Sequence, residues 1–370
     1  MKFLKAFLIV VLILAVGAAI TAYVLKGKYD AYLATPKGSL EGDAKAYLAK
    51  NLDDGTLPAG VARVEIPRGV TPGRLEKRLA GAGVLVPSRF FWFHLKRAKL
   101  LPKVKAGTYL LSAGWSPVQI LRRLTRGEVA TFGFTVAEGL RATQIAEVVE
   151  KSGLAKRDEF MAATHDKALL EKFGVAPIRV PEPDKAEIRW SAEGYLYPDT
   201  YRFARGVTAR ALVAAMLERF RREWTKEMAA RAKELDFTEQ QAVTLASIVE
   251  RETASPDERP LVSSVFHNRM AKHMKLETDP TAIYGMGDSF TGTPRDAVHT
   301  RTAYNTYYIH GLPPGPIANP GKTALRAALW PKDTKYLFFV ARDAGHHTFT
   351  ATLADHERAI DAYRRFMRQR

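Results

Sequence analysis

The strongest constraint on this chain is the run from Ala6 to Leu25, 20 residues without a charge. At about 1.5 Å per residue such a helix is as long as the roughly 30 Å hydrocarbon core of a bilayer is thick. Lys2 and Lys5 precede it, and Lys26 and Lys28 come after it. The run reads as an uncleaved single-span transmembrane helix over residues 6–25, with residues 1–5 as a short tip. A cleaved signal peptide stays open as the alternative, although its apolar part normally runs only about 7–15 residues. A buried core helix would rarely lack any polar stripe. The flanking lysines are too evenly balanced to set an orientation.

The chain beyond Lys26 has the composition of folded, water-soluble structure. Of 370 residues 46% are hydrophobic, which excludes a disordered polyelectrolyte and suggests two or three domains at about 150 residues each. There is no cysteine. Disulfides, a thiol nucleophile, Cys-ligated zinc and iron–sulfur clusters are therefore all excluded. The 56 Lys and Arg against 39 Asp and Glu leave a net charge of +17, which calls for an acidic partner such as anionic lipid or an anionic polymer. No helix-turn-helix, zinc finger or RNP-type aromatic motif accompanies that charge, so no nucleic acid is expected.

Residues 26–60 mix Gly, Pro, Asp and Lys and read as a stalk or linker with one short helix. Beyond it the sequence is similar to itself. At an offset of 70, Gly69/Gly139, Leu75/Ile145, Leu79/Val149, Gly83/Gly153 and Phe90/Phe160 coincide. At an offset of 92, Thr108/Thr200, Tyr109/Tyr201, Gly114/Gly206, Ser116/Thr208 and Ile120/Leu212 coincide as well. Each set reads as strand, turn glycine and amphipathic helix, a βααβ-type unit that occurs twice. That unit resembles the LysM fold, a glycan-binding module. The expected organisation is a LysM-like module over 61–130 and a mixed catalytic domain over 131–370, with the second copy at about 131–220 and a core at about 190–370. The fold class is α+β.

Thr238-Glu239-Gln240-Gln241 is a capping box, and Ala242, Val243, Leu245, Ala246, Ile248 and Val249 behind it cover nearly every face of a helix that must be buried. This helix ends in Glu250-Arg251-Glu252. A carboxylate there meets the negative end of the helix dipole and adjoining apolar surface, and both raise its pKa toward that of a general acid. Glu250 and Glu252 point about 200° apart around the axis. The physics does not choose between them.

The wider pattern is more specific. Leu245-Ala-Ser-Ile-Val-Glu-Arg-Glu-Thr253 is followed by Ser264-Val-Phe-His-Asn-Arg269, Thr278-Asp-Pro-Thr-Ala-Ile-Tyr-Gly285, Ala303-Tyr-Asn-Thr-Tyr307 and Gly311-Leu-Pro-Pro-Gly-Pro-Ile317. With Glu193-Gly-Tyr-Leu-Tyr-Pro-Asp-Thr-Tyr-Arg-Phe203 before them, these motifs resemble the endolytic murein transglycosylases, the MltG-type or YceG-like family, from about residue 60 to the C-terminus. The resemblance implies cleavage of the β-1,4 bond between N-acetylmuramic acid and N-acetylglucosamine in nascent peptidoglycan strands, leaving 1,6-anhydro ends and ending glycan elongation. It carries the acid over to Glu250 by motif position.

It also implies substrate-binding roles for Glu193, Tyr197, Asp199, Tyr201, Asn268, Arg269, Asp279, Tyr284, Tyr304, Asn305, Tyr307 and His347. Aromatic and amide groups of this kind stack on sugar faces and bond hydroxyls and acetamides. No cofactor is implied. His346, His347 and His356 lack any metal-ligand spacing, so no metal is expected. Partners would be peptidoglycan strands and the synthases of the elongation complex, with membrane attachment through residues 6–25. The enzyme would lie in the bacterial inner membrane, its tip cytoplasmic and its catalytic domain on the periplasmic, cell-wall side. A noncatalytic glycan-binding scaffold is the alternative.

Overall fold

A computed structural model describes residues 2–53, 55–181, 187–343 and 345–368. The chain is a mixed α+β protein whose β-structure consists of two-stranded sheets. Met1, part of the expected tip, lies outside the described residues.

Two compact units divide it. The first comprises Met1–Gly133 and Arg202–Gly206, the second Phe134–Tyr201 and Val207–Arg370.

The first unit holds helices α1 (Lys2–Ala34) and α2 (Gly42–Lys50), strand β1 (Val61–Ile66), helices α3 (Pro72–Gly81) and α4 (Arg89–Arg97), strand β2 (Gly107–Ser112) and helix α5 (Pro117–Arg126). β1 and β2 pair antiparallel, from Val61 opposite Ser112 to Ile66 opposite Gly107. Pro72 at the start of α3 and the Ser116–Gln119 capping box of α5 set these helix starts. Their apolar faces meet in one core of Ile66, Leu75, Leu79, Phe91, Tyr109 and Ile120.

Residues 26–60 are not a free spacer. α1 runs on to Ala34 and buries Leu33, and Leu48 of α2 packs against Leu110 and Ala130. The apolar residues within an otherwise polar stretch have partners in the neighbouring sheet, which composition alone does not reveal.

β3 (Thr131–Thr135) opens a second passage through the same order, with α6 (Ala142–Lys151), α7 (Arg157–Thr164) and, after an insertion, β6 (Thr200–Ala204) and α9 (Ala209–Glu223). The insertion supplies α8 (Lys167–Lys172), β4 (Ile178–Val180) and β5 (Glu187–Arg189). β3 and β6 form a two-stranded sheet of their own. The residues that coincide in sequence occupy like positions: Leu75 and Ile145, like Leu79 and Val149, are fully buried on α3 and α6, and Ser116 and Thr208 both cap a helix. The internal similarity thus reflects two β-α-α-β-α passages.

The remainder of the second unit is built around α11 (Glu239–Glu252), preceded by α10 (Lys226–Glu234) and followed by α12 (Arg259–Ala271), α13 (Asp279–Gly285), α14 (Pro294–His299) and α15 (Lys322–Leu329). A hairpin of β7 (Phe338–Ala341) and β8 (His347–Thr350) and a last helix, α16 (Leu353–Arg368), complete it. The Thr238–Gln241 capping box starts α11 as expected, and every residue from Ala242 to Val249 is buried. Full burial of each large aliphatic side chain contributes roughly 1.5–3 kcal/mol, so α11 is a rigid mount for whatever stands at its end.

Candidate active site

The end of α11 presents its two glutamates to different surroundings. Glu250 faces α12 and α15. Its carboxylate accepts from the Arg259 guanidinium at 2.5 Å and from the backbone N–H of Gly321, the N-cap of α15, at 2.9 Å. Both ionic partners are almost wholly buried, and Arg259 also reaches Glu138 at 3.4 Å and the Thr323 hydroxyl. Burial pushes the Glu250 pKa up, while the Gly321 N–H and Arg259 hold it down. A Cβ at Gly321 would displace the Glu138 carboxylate from its place beside Arg259. Glu250, the position to which the family motif carries the acid, therefore clamps three segments together.

Glu252 points the other way. It accepts from the Thr278 hydroxyl, makes no ion pair among the described residues and, like Glu250, is half-buried as a residue. Burial raises its pKa to about 7, and the charge of Asp279 adds to the rise. Thr278 is fixed by a bond from its N–H to the Thr306 hydroxyl at 3.1 Å, and Thr306 in turn lies 2.8 Å from the Thr281 hydroxyl. Tyr307 donates to Asp279 at 2.8 Å. His347 lies near enough to act on the Glu252 charge, and Glu258 holds it in place by accepting from its backbone N–H at 2.9 Å and meeting its Nδ1 at 2.7 Å. The structure thus gathers Asp279, Tyr307 and His347 around Glu252. Thr278 and Glu258 were not singled out from the sequence; Thr278 stands inside the Thr278–Gly285 motif, which was the available signal.

A second cluster forms around Glu193. Its carboxylate is 4% exposed and accepts from the Ala142 N–H at 3.1 Å, at the start of α6, and from Asn319 Nδ2 at 2.7 Å. Burial raises its pKa to about 7 as well. Asn319 also bonds Leu140 and Leu196, so the pair ties three segments together. Gly194 turns with φ 88° where a Cβ would strike Pro316 and Val243. Tyr284 and Tyr304 lie over this cluster, ring centroids 4.9 Å apart, and line a cavity of about 400 Å³ with Arg189 and Trp190.

Several residues expected to touch substrate also hold loops in place. Glu193 is sealed against Ala142 and Asn319. Asn268 donates to the carbonyls of Thr334 and Tyr336. Arg269 donates to Leu337, Lys275 and Leu276 and pairs with Glu277 at 3.0 Å. Asn305 is fully buried and donates to Ala297, Val298 and Thr300. Asp199 pairs with Arg219 at 2.6 Å, whose guanidinium lies over the Tyr197 ring at 4.8 Å, and Tyr201 donates to the Tyr197 carbonyl. For the loop-holding amides and Arg269 the reason is common: irregular backbone leaves carbonyls without partners, and buried ones must be satisfied.

Arg259 is the residue sequence reasoning missed most plainly. It is the first residue of α12, where a cation opposes the helix dipole, and that mismatch signals a carboxylate partner.

Comparison with known proteins fits this arrangement. The model of the YceG-like family matches residues 64–362. The endolytic murein transglycosylase of Bacillus subtilis (strain 168) is 30% identical over 309 residues, 81% of this chain and 84% of that protein. The protein of the same name from Streptococcus pneumoniae is 27% identical over 80% of this chain, which spans 57% of its length. A crystal structure of a YceG-like protein from Listeria monocytogenes superimposes with a TM-score of 0.55 at 29% identity, over 81% of this chain and 99% of that one. The chain belongs to the YceG-like family.

Proposed function

We propose that the protein is an endolytic murein transglycosylase with Glu252 as its acid and base. The observation that carries the assignment of the acid is the difference between the two carboxylates of α11. Glu252 has a pKa raised to about 7 and no ion pair among the described residues, whereas Glu250 is committed to Arg259 and Gly321. A carboxyl with a pKa near 7 is protonated often enough to give up its proton and basic enough to take one back.

The reaction needs only that one group. Protonated Glu252 donates to the glycosidic oxygen as the bond from muramyl C1 breaks. The resulting carboxylate then takes the proton of the muramyl C6 hydroxyl as that oxygen bonds to C1, so the 1,6-anhydro ring forms without water and Glu252 ends protonated. Thr278 orients the carboxyl. Asp279 and Tyr307, already bonded to each other, and His347 border the reacting region. The relatives, endolytic murein transglycosylases by name, support this substrate.

The N-terminal helix supports attachment to the membrane from which nascent strands grow. Phe3–Ala34 is long enough to span, and an 18-residue stretch within it has a mean hydropathy of 2.8. With peptidoglycan as substrate, the N-terminus would be cytoplasmic and the residues beyond the span on the wall side.

The test is a digest of uncrosslinked glycan strands by the full-length protein in detergent, read by mass spectrometry. The expected products carry anhydro-muramyl ends. Reducing ends formed with uptake of water would make the protein a hydrolase, and absence of cleavage by the folded protein would favour the glycan-binding scaffold.

A further inference from the structure

α1 does not end where its apolar run ends. It continues through Lys26 to Ala34, and there it packs against α4 in the same unit. Tyr29 meets His94 Nδ1 through its hydroxyl at 2.7 Å and sets its ring edge-on to Phe90 and Phe93, and Tyr32 donates to the Val86 carbonyl at 2.8 Å. α4 is thereby fixed beside the point at which α1 leaves the expected span.

Between the two helices lies a cavity of about 640 Å³. α1 contributes Ala22, Leu25, Lys26 and Tyr29, one face of the helix crossing from the apolar run to its cationic border over about 10 Å. α4 contributes Arg89, Phe93 and Arg97, spaced four apart on one face. Its opposite face, Phe91 and Leu95, is in the core. Phe93 is 52% exposed and Trp92 44% exposed, and the Trp92 N–H is held by Glu76 at 2.6 Å. Lys26, Arg89 and Arg97 form no ion pair among the described residues. Three cations at the rim of an apolar cleft, level with the end of a membrane span, match a phosphodiester headgroup above acyl chains.

We propose that this cleft binds an anionic phospholipid of the leaflet from which α1 emerges at Lys26, with its phosphate between Lys26, Arg89 and Arg97 and its upper acyl chain along Ala22, Leu25 and Phe93. The proposal rests on the reading of α1 as an uncleaved anchor. The bound lipid holds α4, and with it the first unit, at the membrane surface.

The test uses the full-length chain in nanodiscs of equimolar phosphatidylglycerol and phosphatidylcholine, released gently and weighed intact by mass spectrometry. The parent retains phosphatidylglycerol in preference to phosphatidylcholine. Arg89→Glu with Arg97→Glu lowers that retention about tenfold or more, Arg89→Gln with Arg97→Gln lowers it less, and the same charge reversal at Arg68 and Arg74, outside the cleft, leaves it unchanged. Equal retention of the two lipids by the parent, or undiminished preference in the Arg89/Arg97 variants, overturns the proposal while the anchor stands. An intact mass from cell membranes lacking the N-terminal residues overturns the anchor itself, and the cleft with it.

Discussion

Glu250 and Glu252 stand two residues apart on one helix and meet opposite conditions. On one face, a buried Arg259 and a helix N-terminus saturate the carboxylate. On the other, a single hydroxyl bonds it and a neighbouring carboxylate repels it. Glu193 sharpens the contrast. Its pKa is raised to about 7 like that of Glu252, yet it is sealed among Ala142 and Asn319. A raised pKa reports burial; access and an unspent bonding capacity decide whether the proton can reach a substrate.

The largest effect should come from Glu252→Gln. Cleavage falls about a thousandfold or more, while Glu193→Gln keeps the parent's activity, both measured by release of anhydro-muramyl ends. A comparable loss in both variants would erase the distinction between the two buried sites. On the saturated face, Glu250→Ala leaves the buried, charged Arg259 with only the half-exposed Glu138 as ionic partner. It should cost about 3–5 kcal/mol of stability in denaturant titrations, and unchanged stability would show that the ion pair does not clamp α11.

The pH dependence separates stability from activity. The folded protein binds the Glu252 proton more tightly than the unfolded chain does, since burial lifts the pKa from 4.5 to about 7. This group therefore costs nothing below about pH 4.5 and progressively destabilises the fold up to pH 7. Relative to the parent, Glu252→Gln should gain stability over that window, up to about 3 kcal/mol above it. Glu193→Gln should show the same trend with activity intact. For the parent, kcat/KM should fall above about pH 7 as Glu252 loses its proton. The smallest expected change is from Asp279→Asn, which removes the repelling charge and moves that alkaline limb to lower pH; a limb that stays put would remove Asp279 from the electrostatics of the site.

Much of this arrangement could be read from the sequence. Strong local signals carried it: the uncharged run of α1, the capping boxes at Ser116 and Thr238, the all-round apolar α11, and the paired glycines and leucines of the two β-α-α-β-α passages. The choice between Glu250 and Glu252 was not legible, because it depends on Arg259, Gly321, Thr278 and His347, which only folding brings to the end of α11. Polar residues of the loop region were read as sugar ligands. Asn268, Arg269 and Asn305 are taken up by backbone carbonyls, a demand that exists only once loops are buried.

The most direct test compares Glu252→Gln with Glu250→Gln on uncrosslinked glycan strands near pH 6, each checked for folding and read by the rate at which anhydro-muramyl ends appear. The account predicts that Glu252→Gln is folded and inactive, and that Glu250→Gln, less stable, still cleaves. An active Glu252→Gln beside a folded, inactive Glu250→Gln would contradict it and return the acid to the ion-paired face of α11.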